Sequence, residues 1–398
     1  MELLRHSYGR YRLILDTILV VSAAYGAPAV GLALAPDVTT RLAVIIIYFL
    51  SGLKLPIRDL RRAAVNWRFL VLVQTMNLVL VPLAFLGAAR VAQLSTLTPA
   101  MVRGLIVAGA QPVALQLTVV LTREAKGSEA AAVVNTALGN LLAVLSAPAF
   151  LKLALHNCEI DAKSLSLEFF AILVAPLLSG ALLRALYRRW TQSRQIIALE
   201  IKPFLEKNDF FSTSLDDNNN GKSSSFAAAA SGLQYACFLF LNFEFLCLLF
   251  DSDALRTSPR EVLFVAFIEF ALLLASMAFA WILLGYAFAE KPELRVAGLF
   301  AATQKNLQFG ILLATALYGR QVNEAFIPLY IFFAIQLITG NVAAPFIADW
   351  VDDQHENINN NMPFFFLNRR RKQQKRPPNA ATPLLLAYPH LAPIQTMV

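Results

Sequence analysis

Ala302-Thr303-Gln304-Lys305-Asn306-Leu307-Gln308-Phe309-Gly310 sits between two apolar runs, Val296–Phe300 and Ile311–Tyr318. The combined segment is long enough to span a bilayer, which takes about 20 residues. A polar patch with a full charge therefore occupies the middle of a span. Unsatisfied polar groups in hydrocarbon cost several kcal/mol each, and a charge costs more, so such residues face a cavity or a partner. A lysine near a helix end can snorkel to the interface. Lys305 lies near the middle of Arg295–Gly319, too deep for that. Two readings remain: a group that works in a transport path, or a static pair that fixes helix packing.

Composition supports a membrane setting. The chain has 398 residues, of which 57% are hydrophobic and 15% charged. Soluble domains average about 25% charged residues. The apolar residues run in long unbroken blocks, as lipid-facing helices require. The formal net charge is +8, from 34 basic and 26 acidic residues. The basic residues fall in short loops between blocks, which is a topology signal, and no nucleic-acid partner is expected. Cys158, Cys237 and Cys247 make no disulfide framework. His6, His156, His355 and His390 are too scattered for a metal site, and no phosphate-binding Gly-Lys-Ser/Thr loop is present. An ATP-driven pump and an enzyme are therefore not expected, and no cofactor is implied. Met1–Arg12 is short and basic and runs straight into an apolar block, so it reads as a cytosolic N-terminus before a retained first span.

Ten spans are expected. They lie near Leu13–Leu34, Arg41–Leu55, Phe69–Ala89, Met101–Thr122, Glu129–Leu155, Leu165–Leu186, Phe226–Phe250, Glu261–Ala289, Arg295–Tyr318 and Ala325–Trp350. Gly26 and Pro28 should bend the first. Residues 13–189 hold the first five spans and the sixth, and residues 226–350 hold the seventh to tenth. Trp190–Ser225 is polar, with Asp216-Asp217-Asn218-Asn219-Asn220-Gly221, and reads as a disordered cytosolic loop. Val351–Val398 is Asn-rich, then basic at Arg369–Lys372, then Pro-rich, and reads as a disordered tail.

Cations mark one side. Arg5, Arg10 and Arg12, then Lys54 to Arg68, Arg123 and Lys126, Arg184 to Arg194, Lys291 and Arg295, and Arg369–Lys372 all share a face if the spans number ten. The positive-inside rule then places both termini in the cytosol of a multi-pass protein.

Ten spans divide into five plus five, with the second half inverted. The fourth span is interrupted from Gly109-Ala110-Gln111-Pro112 through Gln116 and Thr118, and the ninth from Thr303 through Gln308. Each is the penultimate span of its half. Paired interruptions at matching positions point to a transporter site at the midplane. Broken helices expose amides and carbonyls that bind ions or anionic groups. The candidate binding residues are Thr303, Gln304, Lys305, Asn306 and Gln308, with Gln111, Gln116 and Thr118 from the fourth span. Gln74, Asn77, Asn135, Thr136 and Asn140 could complete the site from the third and fifth. Each of these last five equally fits an ordinary interhelical hydrogen bond. Glu244 and Glu269 are the intramembrane carboxylates available as charge partners for Lys305.

These residues resemble the sodium/bile acid cotransporter superfamily, and within it the branch of sodium/bile acid cotransporter 7. The resemblance rests on Ser51-Gly52-Leu53-Lys54-Leu55; Val120-Leu121-Thr122-Arg123 followed by Gly127-Ser128-Glu129-Ala130-Ala131-Ala132; Asn135, Gly139-Asn140-Leu141-Leu142 and Pro148; Thr303-Gln304-Lys305 with Phe309-Gly310; and Gln336, Gly340 and Pro345. It implies an all-α integral membrane protein of two inverted five-helix repeats, a panel domain and a core domain, with crossing broken helices and an alternating-access cycle. Bile-acid-type members carry a glutamate just before the glutamine of the ninth span. Here Phe300-Ala301-Ala302-Thr303-Gln304-Lys305 has no carboxylate. A small hydroxyl pair of many relatives falls here on Gln116 and Leu117. These departures argue against bile acid transport and leave sodium coupling open. The branch is linked to lowered calcium entry and to secretory-pathway glycosylation, which implies a plasma-membrane or Golgi/ER location.

The leading expectation is a secondary transporter of a small, anionic solute or ion, in which Lys305 stands in for a coupling cation. The alternative is a membrane regulator of calcium homeostasis that moves no substrate itself. The sequence names no protein partner.

Overall fold

Lipid offers no partner to backbone N–H and C=O groups, so apolar blocks must satisfy them internally as helices. The structure is a computed structural model and describes residues 15–34, 36–54, 66–95, 97–155, 161–187, 189–190, 218–251, 258–318 and 324–360. Two compact units divide the chain, Met1–Asp349 and Trp350–Val398. The described part of the second, residues 350–360, is helical.

Among the described residues the backbone is helical throughout, apart from connecting turns and one isolated antiparallel bridge. The helices are α1 (Leu15–Gly26), α2 (Pro28–Ala33), α3 (Pro36–Lys54), α4 (Trp67–Ala92), α5 (Pro99–Ala110), α6 (Leu115–Glu124) and α7 (Glu129–Ala154). They continue as α8 (Ala162–Tyr187), α9 (Asn218–Asp251), α10 (Pro259–Ala287), α11 (Pro292–Thr303), α12 (Leu307–Tyr318) and α13 (Ile327–Asn360). Six of these segments are long and apolar enough to cross a membrane by length and composition: α4, α7, α8, α10, Ala229–Asp251 of α9, and Glu324–Glu356 around α13. The protein is a multi-pass membrane protein.

The break expected at Gly26 and Pro28 is present, and two further prolines follow loosened turns. Pro28 follows a break at Ala27 between α1 and α2. Pro82 and Pro176 each follow a widened π-turn, at Met76–Leu80 in α4 and Phe170–Val174 in α8. Proline has no N–H to give the ladder, and the preceding turn loosens to accommodate it.

The helices pack in two groups. In one, α9 lies against α2 and α3, and α3 against the π-turn of α8. The crossing of α3 and α8 is a backbone contact: a Cβ on Gly52 would fall 2.0 Å from the Leu177 oxygen, and one on Gly180 2.1 Å from that of Phe49. Only glycine permits that approach. In the other group α4 packs on α5, α10 on α11, α7 on α6 and α11, and α12 on α5. From α13, Phe332 meets Phe85 of α4 and Phe333 meets Phe238 of α9, at ring separations of 5.2 and 6.2 Å.

Two boundaries differ from expectation. The helix α9 begins at Asn218, so Asn218–Ser225 is helical and not loop. At the other end, α13 runs to Asn360, ten residues past the expected end of the span at Trp350. Extending an established helix costs little once its apolar part is anchored, which lets polar residues join it. The rest of the expected loop, residues 191–217, and the tail from 361 onward lie outside the described residues.

Candidate functional site

Two apolar helices stop abruptly and restart. The chain leaves α5 at Gln111 in an extended conformation, φ −61° and ψ 141°, and leaves α11 at Gln304 in the same way, φ −82° and ψ 124°. Residues 111–114 and 304–306 form the two breaks, shorter than the interruptions read from sequence. The breaks meet. Val113 and Lys305 form the antiparallel bridge. The Ala114 N–H donates to the Gln304 carbonyl at 3.0 Å, and the Asn306 N–H donates to the Pro112 carbonyl at 2.8 Å. Each break thus repairs the other, since unpaired backbone groups at this depth would be costly.

Gln336 of α13 closes the remaining edge. Its Oε1 accepts from the Lys305 N–H at 2.7 Å, and its Nε2 donates to the Lys305 carbonyl at 2.8 Å. The carboxamide acts as a one-residue neighbouring strand.

The Lys305 side chain is fully buried. Its Nζ donates to the Asn77 carbonyl at 2.7 Å and to Asn77 Oδ1 at 2.9 Å. The first of these depends on the π-turn. In an α-helix the Asn77 carbonyl would accept from Val81, but the Val81 N–H goes to Met76 instead. The Asn77 oxygen is thereby released to the ammonium. Neither Glu244 nor Glu269, the carboxylates put forward as partners, bonds to Lys305. Glu244 accepts from the Thr39 and Thr40 hydroxyls within the α3–α9 contact. Glu269 is buried on α10 with neither oxygen hydrogen-bonded. A nearby carbonyl and amide satisfy the ammonium where a carboxylate was expected.

Asn306 and Asn140 tie the crossing together. Asn306 Nδ2 donates to Asn140 Oδ1 at 3.0 Å and to the Tyr48 hydroxyl at 3.3 Å. Asn140 Nδ2 donates to the Val113 carbonyl at 2.9 Å, and the Tyr48 hydroxyl donates to Asn140 Oδ1 at 2.9 Å. Gln74 Nε2 donates to the carbonyl and Oδ1 of Asn135 at 2.9 and 3.2 Å. Thr303 and Thr136 instead bond back to their own helices, at the Leu299 and Val133 carbonyls. Gln111 packs on Gly310, where a Cβ would lie 2.3 Å from Gln111 Nε2. Thr118 is fully buried on α6 without a partner for its hydroxyl.

Beside the crossing lies a cavity of about 30 Å³. Gln116 and Gln308 line it with Lys305, Asn306 and Tyr48, against Val44, Ile47, Phe238 and Phe333. The first residues of α6 and α12, Leu115 and Leu307, open onto it as well. The lining holds no Asp or Glu. Among the described residues no three His, Cys, Asp or Glu side chains cluster as a metal group.

Tyr48 and Val113 escaped the sequence reading, and Gln336 was noted only for its part in the resemblance. A tyrosine hydroxyl or glutamine amide inside an apolar block must find a partner, and that was the available signal. Val113 acts through its main chain, which leaves no trace in residue type.

Sodium/bile acid cotransporter 7 of Danio rerio is 27% identical over 357 residues, covering 87% of this chain and 96% of the relative. Sodium/bile acid cotransporter 7-A of Xenopus laevis is 28% identical over 351 residues, covering 85% and 92%. Sodium/bile acid cotransporter 7 of Mus musculus is 24% identical over 359 residues, covering 87% and 95%. The model of the SBF-like CPA transporter family matches residues 12–349. The chain, with its two broken helices joined at a buried crossing, belongs to the SBF-like CPA transporter family.

Proposed function

We propose that the protein is a secondary-active transporter of a small anionic solute, working by alternating access without a coupling sodium ion. The observation that carries this reading is the buried crossing of two helix breaks with the Lys305 ammonium held on Asn77.

The architecture proposed is ten spans in two inverted five-helix repeats. The element order supports it. The series α4, α5, α6, α7 recurs as α10, α11, α12, α13. Gln111 and Gln304, which end the first half of each broken helix, are 193 residues apart (304 minus 111), and so are Pro99 and Pro292, which begin them. The antiparallel sense of the bridge fits helices that cross in opposite directions. The α1–α3, α8 and α9 group corresponds to a panel and the α4–α7 and α10–α12 group to a core. The proposed orientation has both termini in the cytosol, supported by the loop charges, and the proposed location is the plasma membrane or the Golgi/ER membrane.

Two features favour an anion. The starts of α6 and α12 face the cavity, and a helix N-terminus presents free amides and a positive dipole. No carboxylate lines the space to oppose them. A cavity of about 30 Å³ has room for an ion or a water or two, since one water needs about 10–15 Å³. A larger solute therefore enters in a more open conformation.

The reading gives the place of a coupling cation to Lys305. The two Asn77 oxygens at the crossing accept from its ammonium, while Gln74 Oε1, Gln304 Oε1 and the Thr118 hydroxyl are buried without a partner. The test is flux into proteoliposomes across a panel of organic anions and calcium, with and without sodium. Uptake of an anion at equal rates in both media is expected; strict sodium dependence would overturn the reading.

A further inference from the structure

Among the described residues three Lys, Arg, Asp or Glu side chains are fully buried inside the apolar helices: Lys305, Glu244 and Glu269. Two have partners. Lys305 bonds to Asn77, and Glu244 accepts two threonine hydroxyls. Glu269 has none at either oxygen.

The turns of α10 on either side of Glu269 are apolar. Glu269 lies ten residues into a helix of 29, about 15 Å from its start at 1.5 Å per residue. One turn away on either side are Val265 and Leu273, both buried on the same face. The helix packs against α4 and α11. The charged residues of those two helices are Arg68 and Arg90, and Glu293 and Arg295, all within the first or last turn. On α10 itself Arg260 and Glu261 lie at the start, and Glu261 accepts from the Thr98 N–H. Arg90 donates to the Ala154 carbonyl, and Arg295 to the Trp281 carbonyl. Among the described residues neither Glu269 oxygen has a hydrogen-bond donor, and the cations of α4 and α11 sit at the helix ends. An ionised carboxylate buried in this way is far less favourable than the neutral acid.

We propose that Glu269 is a proton-binding site: the side chain carries a proton in this conformation and releases it to water when α10 moves and exposes the carboxyl. The reaction is simple association of a carboxylate with one proton drawn from the solvent. The placement links it to the crossing, because α10 packs on both helices that position Lys305. Its neighbour α11 ends at the break that carries Lys305, and α4 holds Asn77. Moving the anion together with a proton would then need no sodium. This coupling rests on the transport reading, but the proton site itself does not.

Infrared difference spectroscopy on the full-length protein in lipid separates the two. The carbonyl stretch of a protonated carboxylic acid at neutral pH is expected in the wild type, lost in Glu269→Gln, shifted in Glu269→Asp and retained in Glu244→Gln. A band that is absent from the wild type, or present and unchanged in both Glu269 variants, would overturn the proposal. Neither outcome depends on knowing a substrate. If the band behaves as expected but an imposed pH gradient leaves anion flux unchanged, the coupling is overturned and the site stands.

Discussion

Lys305 shows how a charge can be kept in a span without a counter-ion. Its ammonium uses a carbonyl that the helix has released and the amide of the same residue, Asn77. Hydrogen bonds to charged groups contribute about 1.5–3 kcal/mol each. Asn77→Ala keeps the carbonyl bond and loses the amide bond, so thermal unfolding in detergent should show destabilisation by about that amount for one bond. Lys305→Gln removes the charge itself. If Lys305 replaces a cation, this variant should lose transport or become dependent on an added monovalent cation, read by flux in sodium, potassium and choline media. A nearby residue tests packing alone. In Gly310→Ala the new Cβ meets Gln111 at 2.3 Å, so stability should fall by about 1–3 kcal/mol, as overpacking does. Adding Gln111→Ala should recover most of the loss.

The helix elements explain how that carbonyl becomes available. Pro82 follows the π-turn at Met76–Leu80, where the Val81 N–H bonds to Met76 and not to Asn77. Pro82→Ala restores an N–H and favours an ordinary α-turn. The variant should melt no lower than the wild type yet transport poorly, because Val81 would compete with Lys305 for the Asn77 oxygen. A Pro82→Ala protein with full transport would contradict the role given to the turn. The helices themselves were legible in the sequence. Long apolar runs marked each one, and Gly, Pro and Gln inside two of those runs marked the breaks. The partners were less legible. Lys305 with Glu244 or Glu269 was a sensible pair from charge alone, but α9 holds Glu244 against Thr39 and Thr40, and α10 holds Glu269 in an apolar seam. The oxygen that takes the ammonium belongs partly to the main chain, whose availability depends on a turn type and not on a residue name. Tyr48 and Gln336 were hidden for a related reason: each is ordinary in its own helix and gains meaning only from what crosses it.

Across the whole molecule, the two breaks hold each other. Bonds between residues 112–114 and 304–306, with Gln336 behind, let both helices interrupt at depth without leaving amides bare. A purely regulatory protein has no need of such a buried polar crossing, whereas an alternating-access carrier does. Deletion of residues 191–217 and 361–398 separates these readings, because a carrier should keep its flux and a docking regulator should lose its effect on calcium entry. The most direct test of the central claim is anion flux into proteoliposomes of wild-type and Lys305→Gln protein, measured with sodium and with choline as the external cation. The account predicts wild-type uptake that is the same in both media and is lost, or made cation-dependent, in Lys305→Gln. Uptake by Lys305→Gln at the wild-type rate, with unchanged cation dependence, would contradict it.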